Sequence, residues 1–360
     1  MTKICLITDS LSLGGAERMA ANLSVLLKAN GFDVSLIALR DDIDYEFDGK
    51  LYNIGKYLSR FKWIKQIQKF YRFKNAYQKV NADCYIDFRI RGRWLMEYML
   101  HQFIFDEKKM IMTVHNYNIF LHLPKFNYFY KRYDNCKAVI SVSEAICERL
   151  AKLYSFRNLK CIYNFYDVPK KMSIGKIESF KEFDSFVVAI GRLNNKIKQF
   201  DKLIEAYNQS ILPSNRVGLL IFGKGNSKTD LQQLINESEL TNYVKLMGFS
   251  NSIKSYIKAS QFLVLSSLNE GLPMVLIEAL ALETPVVSFD CKSGPSEIII
   301  SGKNGILVED QNFEALTHAM NKMINDKDFY GTCKNNAKTS VEKFSSFEVI
   351  KSWDNLINKS

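Results

Sequence analysis

The chain contains no stretch approaching the roughly 20 apolar residues that a membrane span needs. Asp9 stands where a secretory signal would carry its apolar region. Together these absences lead us to expect a protein on the cytoplasmic side. Seven cysteines (Cys5, Cys84, Cys136, Cys147, Cys161, Cys291, Cys333) include no C-x-x-C pair and are odd in number. That argues against a disulfide framework and a zinc ribbon, and points to reduced, mostly buried thiols. Neither an internal repeat nor a low-complexity segment is present. Asp42-Ile43-Asp44 has the form of a metal-binding D-x-D, but it falls in an acidic loop after the second strand with no other ligand cluster, so no metal site is expected.

Acidic residues are missing altogether between Lys56 and Val80. Lys56, Arg60, Lys62, Lys65, Lys69, Arg72, Lys74 and Lys79 there account for most of the net charge of +11, and the rest of the chain is close to neutral. Such an excess suggests an anionic partner. Tyr57, Phe61, Ile64, Ile67 and Tyr71 recur every three or four residues, with Lys62, Lys65, Lys69 and Arg72 doing the same on an adjacent face. The spacing predicts a basic, aromatic-rich amphipathic helix. It can lie in an anionic membrane interface, with Trp63 or Phe61 seated there, or grip a phosphorylated acceptor or a nucleic acid. Alternatively it is a solvated surface helix whose aromatics are core. Nothing else in the chain supports nucleic-acid binding.

Of the 360 residues, 47% are hydrophobic and 24% charged, an ordinary globular composition with a length that suits two domains. Strands are expected at Ile4 to Thr8, Val34 to Leu39, Cys84 to Phe88, Met110 to Val114, Ala138 to Val142 and Lys160 to Tyr163. Gly14-Gly15 and a helix with Met19, Leu23, Leu26 and Leu27 on one face separate the first two, which makes a parallel crossover unit. After Pro169 a polar, lysine-rich stretch up to Asp184 reads as a linker. A second α/β series follows, with strands at Phe186 to Ile190, Val217 to Phe222, Val244 to Met247, Phe262 to Leu265, Pro285 to Phe289 and Ile306 to Val308. The fold class expected is therefore α/β, with two doubly wound domains, 1–168 and 169–343, and a ligand crevice where the carboxyl ends of their sheets face each other. Phe347, Ile350, Trp353 and Ile357 mark one face of a last helix, at 344–360.

Ser266 to Leu280 reads as strand end, loop and helix, with Pro273 at the first helical position. Backbone amides around Gly271, Leu272 and Met274 would point from the helix N-terminus toward an anion. Glu270 sits beside them and Glu278 lies more than a turn farther on, so the pair suits two ends of an extended ligand. Each alone has a plainer reading, Glu270 as a helix cap and Glu278 as a solvated helix residue. Arg89, Arg91 and Arg93 follow the strand that ends near Phe88; they suit a phosphate or pyrophosphate, or are simply bundled solvated arginines.

The segment E-G-L-P-x-V-L-I-E-A from Glu270 resembles the retaining nucleotide-sugar glycosyltransferases of the GT-B fold, glycosyltransferase family 4. Gly14-Gly15-Ala16-Glu17-Arg18, Ser141-Val142-Ser143-Glu144, Tyr163 to Asp167, Gly191-Arg192-Leu193 with Lys198-Gln199-Phe200-Asp201, Gly223-Lys224-Gly225, Gly248-Phe249 and Ser293 to Ile298 resemble its other landmarks in order. The resemblance implies an acceptor-binding first domain with the last helix crossing back onto it, and a second domain that binds the donor. Arg192 and Lys198 would neutralise the donor diphosphate. One extra residue between them, against the commonest family spacing, leaves Lys196 as the alternative lysine. Glu283 replaces the glycine many members have in a turn. Glu270 and the adjacent amides of Gly271, Leu272 and Met274 would hold the sugar, Glu278 the ribose, and Gly14 and Gly15 a backbone approach to diphosphate or sugar. His115 would contact the sugar near the reaction centre, or else is hydrogen-bonded in the wall without a catalytic part.

The resulting expectation is a membrane-peripheral, metal-independent hexosyltransferase that needs no cofactor beyond its nucleotide-sugar substrate. It would move a hexose or N-acetylhexosamine, of Gal, GalNAc or GlcNAc type, from a UDP-sugar to a lipid-linked oligosaccharide, lipopolysaccharide or capsule glycan. Arg89, Arg91, Arg93, Lys62, Lys65, Lys69 and Arg72 would serve the acceptor and the membrane. A nucleotide-sugar epimerase of the same architecture and a non-catalytic partner subunit are the alternatives; intact Arg192, Lys198, Glu270 and Glu278 argue against the latter.

Overall fold

A computed structural model describes residues 1–12, 14–168, 177–250 and 252–358, without the side chains of Lys62, Asn127 and Asn195. Residues 169–176, the first part of the expected linker, therefore lie outside the described residues, as does the start of the second domain at 169. The chain divides into two units, Met1–Phe165 with Ser346–Ser360, and Tyr166–Ser345.

The first unit holds a parallel sheet of β1 (Lys3–Thr8), β2 (Asp33–Ala38), β3 (Lys50–Asn53), β4 (Cys84–Asp87), β5 (Met110–Val114), β6 (Ala138–Ser141) and β7 (Leu159–Cys161). Its order is β3-β2-β1-β4-β5-β6-β7. The second holds β8 (Ser185–Ile190), β9 (Val217–Phe222), β10 (Val244–Gly248), β11 (Leu263–Leu265), β12 (Val286–Phe289) and β13 (Gly305–Val308), in the order β10-β9-β8-β11-β12-β13. β5, β9 and β12 are buried along their whole length. Helices on both faces of a parallel sheet leave no wet side, so such strands read as unbroken apolar runs. β3 escapes that signal because it is a four-residue edge strand with one exposed and three half-buried residues.

Each sheet reverses its strand order once, between β1 and β4 and between β8 and β11. Loops leaving the carboxyl ends of two such neighbours run in opposite directions and open a crevice. In the second unit the core beneath is built from Val187, Ile204, Leu219, Phe262, Val287 and Leu316 among others.

Helix α1 (Gly15–Ala29) follows β1 and buries Met19, Leu23 and Leu27. Helix α2 (Lys62–Val80) is shorter than the basic stretch, because Tyr57 at φ 49° turns the chain before it. Its core side carries Phe73, Ala76 and Tyr77. The stripe Tyr57, Phe61, Ile67 and Tyr71 faces solvent instead, with Trp63 68% and Tyr71 60% exposed. The reading in which these aromatics are core is thus corrected: the fully buried residues of the helix all lie in its carboxyl half. Helix α3 (Trp94–Phe103) follows the loop after β4.

The last helix, Ser346–Asn358, belongs to the first unit and buries Val349, Trp353, Leu356 and Ile357. Lys137 Nζ donates to the Ile357 carbonyl at 2.8 Å. The expected face is rotated. Phe347 in the first turn is 69% exposed, whereas Val349, Trp353 and Leu356 share the spacing i, i+4, i+7 that one face requires. Phe344 is buried, but in the 3-10 turn Thr339–Phe344 of the second unit.

Candidate functional site

The reversal point of the second sheet is where most of the expected donor residues gather. Gly191, Arg192 and the short helix Asn195–Lys198 follow β8, and the loop 266–273 follows β11. Two hydrogen bonds clamp these loops together: Leu268 N donates to the Ile197 carbonyl and Ser266 Oγ to the Lys198 carbonyl, each at 2.8 Å. So held, Lys198 Nζ reaches Glu270 Oε1 at 2.7 Å. The lysine stem runs past Gly191, where a Cβ would collide with it. Lys196 is exposed, and the contact to Glu270 belongs to Lys198.

Glu270 is not a helix cap, since the next helix, Met274–Ala281, is preceded by Pro273 with no side-chain cap. Pro273 sits one position before the helix rather than in it, because its ψ of 89° is not helical. Among the described residues no acceptor takes the amides of Gly271 and Leu272. Their loop is fixed from the other side by Ser293, whose hydroxyl donates to the Gly271 carbonyl at 2.6 Å. Gly294 beside it adopts φ 93°, and a Cβ there would strike the Pro273 ring. Gly223, after β9, has φ 149° and leaves room for the Gly191 carbonyl. Both positions demand glycine. Glu278 is only 6% exposed, so the solvated reading of that residue fails. Arg192 is exposed at the same strand end. A cation, a carboxylate, unaccepted amides and a buried second carboxylate therefore lie around one strand-end crevice, an arrangement that can take a phosphorylated polar molecule.

In the first unit, Gly14 caps α1, with the Glu17 carboxylate folded against it where a Cβ would otherwise go; beside Gly15 the space is open. His115 follows β5, its ring stacked on Phe88 at 5.1 Å between centroids. Its Nε2 is 2.9 Å from Thr113 Oγ1, and its buried Nδ1 has no partner. Burial, and then the charge of Arg91, push its pKa down to about 3. The ring is neutral at physiological pH.

The three arginines after β4 part company. Arg91 is fully buried and donates to the carbonyls of His122, Asp87 and Thr113 at 2.8, 3.0 and 2.6 Å. Arg89 is buried between Asp87, at 2.7 Å, and Glu97, at 3.1 Å. Burial alone would raise the Asp87 carboxyl, but Arg89 and Arg91 hold it below its ordinary value. Neither guanidinium is available to a phosphate, and neither is solvated; both earlier readings fail for these two, because the sequence pattern hid the carboxylates Asp87 and Glu97 that claim them. Arg93 is exposed. On α2, Arg72 donates to the carbonyls of Lys56 and Tyr57 and so braces the preceding turn rather than facing outward. Lys65 is exposed, Lys69 half-buried, and the Lys62 side chain is outside the described residues. In the acidic loop, the Asp44 carboxylate accepts the Ser12 hydroxyl. The bond of Ser293 to the Gly271 carbonyl and the unpartnered buried hydroxyl of Ser267 were not read from the sequence, although both residues lie in segments singled out there; a serine hydroxyl has no signature of its own.

Residues 172–340 match the family model described as Glycosyl transferases group 1, and residues 13–170 match Glycosyltransferase Family 4. The chain is 25% identical to the amylovoran biosynthesis glycosyltransferase AmsD of Erwinia amylovora, over 99% of this chain and 100% of that one. It is 28% identical to the N-acetylgalactosamine-N,N'-diacetylbacillosaminyl-diphospho-undecaprenol 4-alpha-N-acetylgalactosaminyltransferase of Campylobacter jejuni, over 98% of each. Among solved structures, a mutant of S. aureus TarM in complex with fondaparinux, alpha-GlcNAc-glycerol and UDP matches with a TM-score of 0.78 at 17% identity, over all of both chains.

Proposed function

Because the chain belongs to glycosyltransferase family 4, the group 1 glycosyltransferases of the GT-B fold, we propose that its donor is a UDP-sugar and its acceptor a lipid-linked or surface glycan. The transfer would run with retention of configuration and without a metal, at the inner face of the membrane. The observation that carries the donor reading is the Lys198–Glu270 pair, set at the strand-order reversal beside the unaccepted amides of Gly271 and Leu272.

A diphosphate entering there competes with Glu270 for the Lys198 ammonium, and Arg192 adds a second fixed cation. Charge grows on the diphosphate as its bond to the anomeric carbon breaks, so these cations act most strongly in the transition state. The displaced Glu270 carboxylate is then free to accept a sugar hydroxyl, and Glu278 to hold the ribose. The acceptor oxygen bonds the anomeric carbon on the face the diphosphate leaves, and the acceptor proton passes to the departing phosphate. His115 enters as a neutral hydrogen-bonding ring, not as a cation. The UDP in the TarM crystal supports the choice of base, and the diphospho-undecaprenol substrate in the Campylobacter enzyme's name supports the acceptor class. No helix among the described residues is long and apolar enough to cross a membrane, so membrane association is assigned to the exposed aromatics and lysines of α2.

The test is a panel of nucleotide sugars with the purified protein, followed by NMR of the product's anomeric proton. Slow hydrolysis of one or more UDP-sugars with an axial product from an axial donor is expected. An equatorial product, or turnover confined to donors with another base, overturns the reading.

A further inference from the structure

We propose that the cavity at the strand-order reversal of the first sheet binds the diphosphate head and first alkyl carbons of the acceptor's lipid, which makes the acceptor an alkyl-diphosphate-linked molecule. This rests on the reading above and narrows its acceptor class.

The cavity has a volume of about 370 Å³ and opens between α2, α3 and the loops after β1, β2 and β4. It stands at the position in the first sheet equivalent to that of the donor residues in the second, where the neighbours β1 and β4 send their loops apart. Six charged groups line it, and their pairing decides what it attracts. Arg89 and Glu97 are consumed by the buried cluster with Asp87. Asp9 accepts the Ile90 amide at 2.9 Å. Against the one carboxylate of Asp9, Lys69, Arg93 and Arg40 leave an excess of cations; Arg40 makes only long contacts, to Glu17 at 3.8 Å and to the Ser10 hydroxyl at 3.5 Å, and the side chains of Lys69 and Arg93 have no hydrogen-bond or ion-pair partner among the described residues. Burial first, and then the like charges of Lys65, Arg40 and Arg93, hold the Lys69 ammonium below its ordinary pKa even though the Asp9 carboxylate acts the other way. An anion placed among the three relieves that repulsion.

Besides these charges and Gln66 the wall is apolar, with Phe70, Phe73, Met96, Leu100 and Leu39, which suits carbon next to the cations rather than a bare phosphate alone. Ile67 and Tyr71 of α2, Ile90 of the loop after β4 and Trp94 at the start of α3 are exposed apolar residues on the elements that line the cavity. A chain leaving the head group therefore has apolar side chains beside it on the way to the side of α2 assigned above to the bilayer. A cationic end with an apolar tail is the complement of an alkyl diphosphate.

Titration calorimetry on the full chain, with farnesyl diphosphate, inorganic pyrophosphate and farnesol, separates head from tail. Farnesyl diphosphate should bind at least tenfold more tightly than either of the others. Lys69→Gln should weaken it at least tenfold, and Met96→Trp, which fills the cavity, should weaken farnesyl diphosphate while leaving pyrophosphate unchanged. UDP titrated into both variants reports folding and keeps the two readings apart. UDP bound normally with no binding of farnesyl diphosphate overturns this inference and leaves the donor reading standing. Pyrophosphate bound as tightly as farnesyl diphosphate, or indifference to both substitutions, also overturns it.

Discussion

The ammonium of Lys198 lies 2.7 Å from a carboxylate oxygen of Glu270, a residue 72 positions away that two interloop hydrogen bonds bring within reach. Both side chains keep some exposure, 17% and 15%, so the pair contributes at most about 1 kcal/mol to folding. Lys198→Met should accordingly lower kcat/KM by about 10²- to 10³-fold, with little change in the urea midpoint. A large stability loss with normal turnover would make the pair structural.

Asp87 tells the opposite story. It compensates two buried guanidiniums, so Asp87→Asn should cost about 3–5 kcal/mol of stability, read from urea unfolding. A nearly unchanged midpoint would show that Arg89 and Arg91 are not structural and would restore them as candidates for a phosphate.

The buried imidazoles give a pH signature. His115 titrates in the folded state at about 3, and burial holds His122 well below its ordinary value, whereas an unfolded histidine titrates near 6.5. Below about pH 6.5 the unfolded chain therefore takes up protons that the folded one refuses. Stability is full above that pH and falls as pH drops toward 3, with a limiting slope of about 1.4 kcal/mol per pH unit for each histidine. Between pH 6.5 and 5 the carboxylates contribute little, so His115→Gln should flatten the slope in that window. An unchanged slope in the variant would contradict the burial argument.

On α2, Trp63, Ile67 and Tyr71 are exposed together. Changing all three to Ser should leave stability almost unaltered, because none packs in the core, while abolishing co-sedimentation with anionic liposomes. Equal sedimentation of variant and wild type would mean that the helix is a solvated face.

Much of this architecture was legible because parallel strands buried on both faces leave uninterrupted apolar runs: β1, β5 and β9 could be read directly, β3 could not. The residues proposed for the donor were legible as a set, since Arg192, Lys198 and Glu270 follow strand ends and Glu278 lies in the next helix, in the order the motifs reproduce. What the sequence concealed was pairing. Arg89, Arg91 and Arg93 look alike in a row, and only the fold brings Asp87 and Glu97 onto the first two and leaves the third in the open. The periodicity of α2 likewise gave its stripes correctly but not which stripe meets the sheet, because burial belongs to Phe73, Ala76 and Tyr77 at the far end.

A nucleoside diphosphate bound by this chain should sit against Arg192 and Lys198 in the second unit. Calorimetric titration of UDP and UMP into the wild type, Arg192→Ala and Lys198→Ala tests it directly. UDP should bind the wild type more tightly than UMP, and each substitution should weaken UDP at least tenfold while leaving UMP nearly unchanged, since the lost contact is to the terminal phosphate. UDP binding of equal strength in all three proteins would contradict that placement.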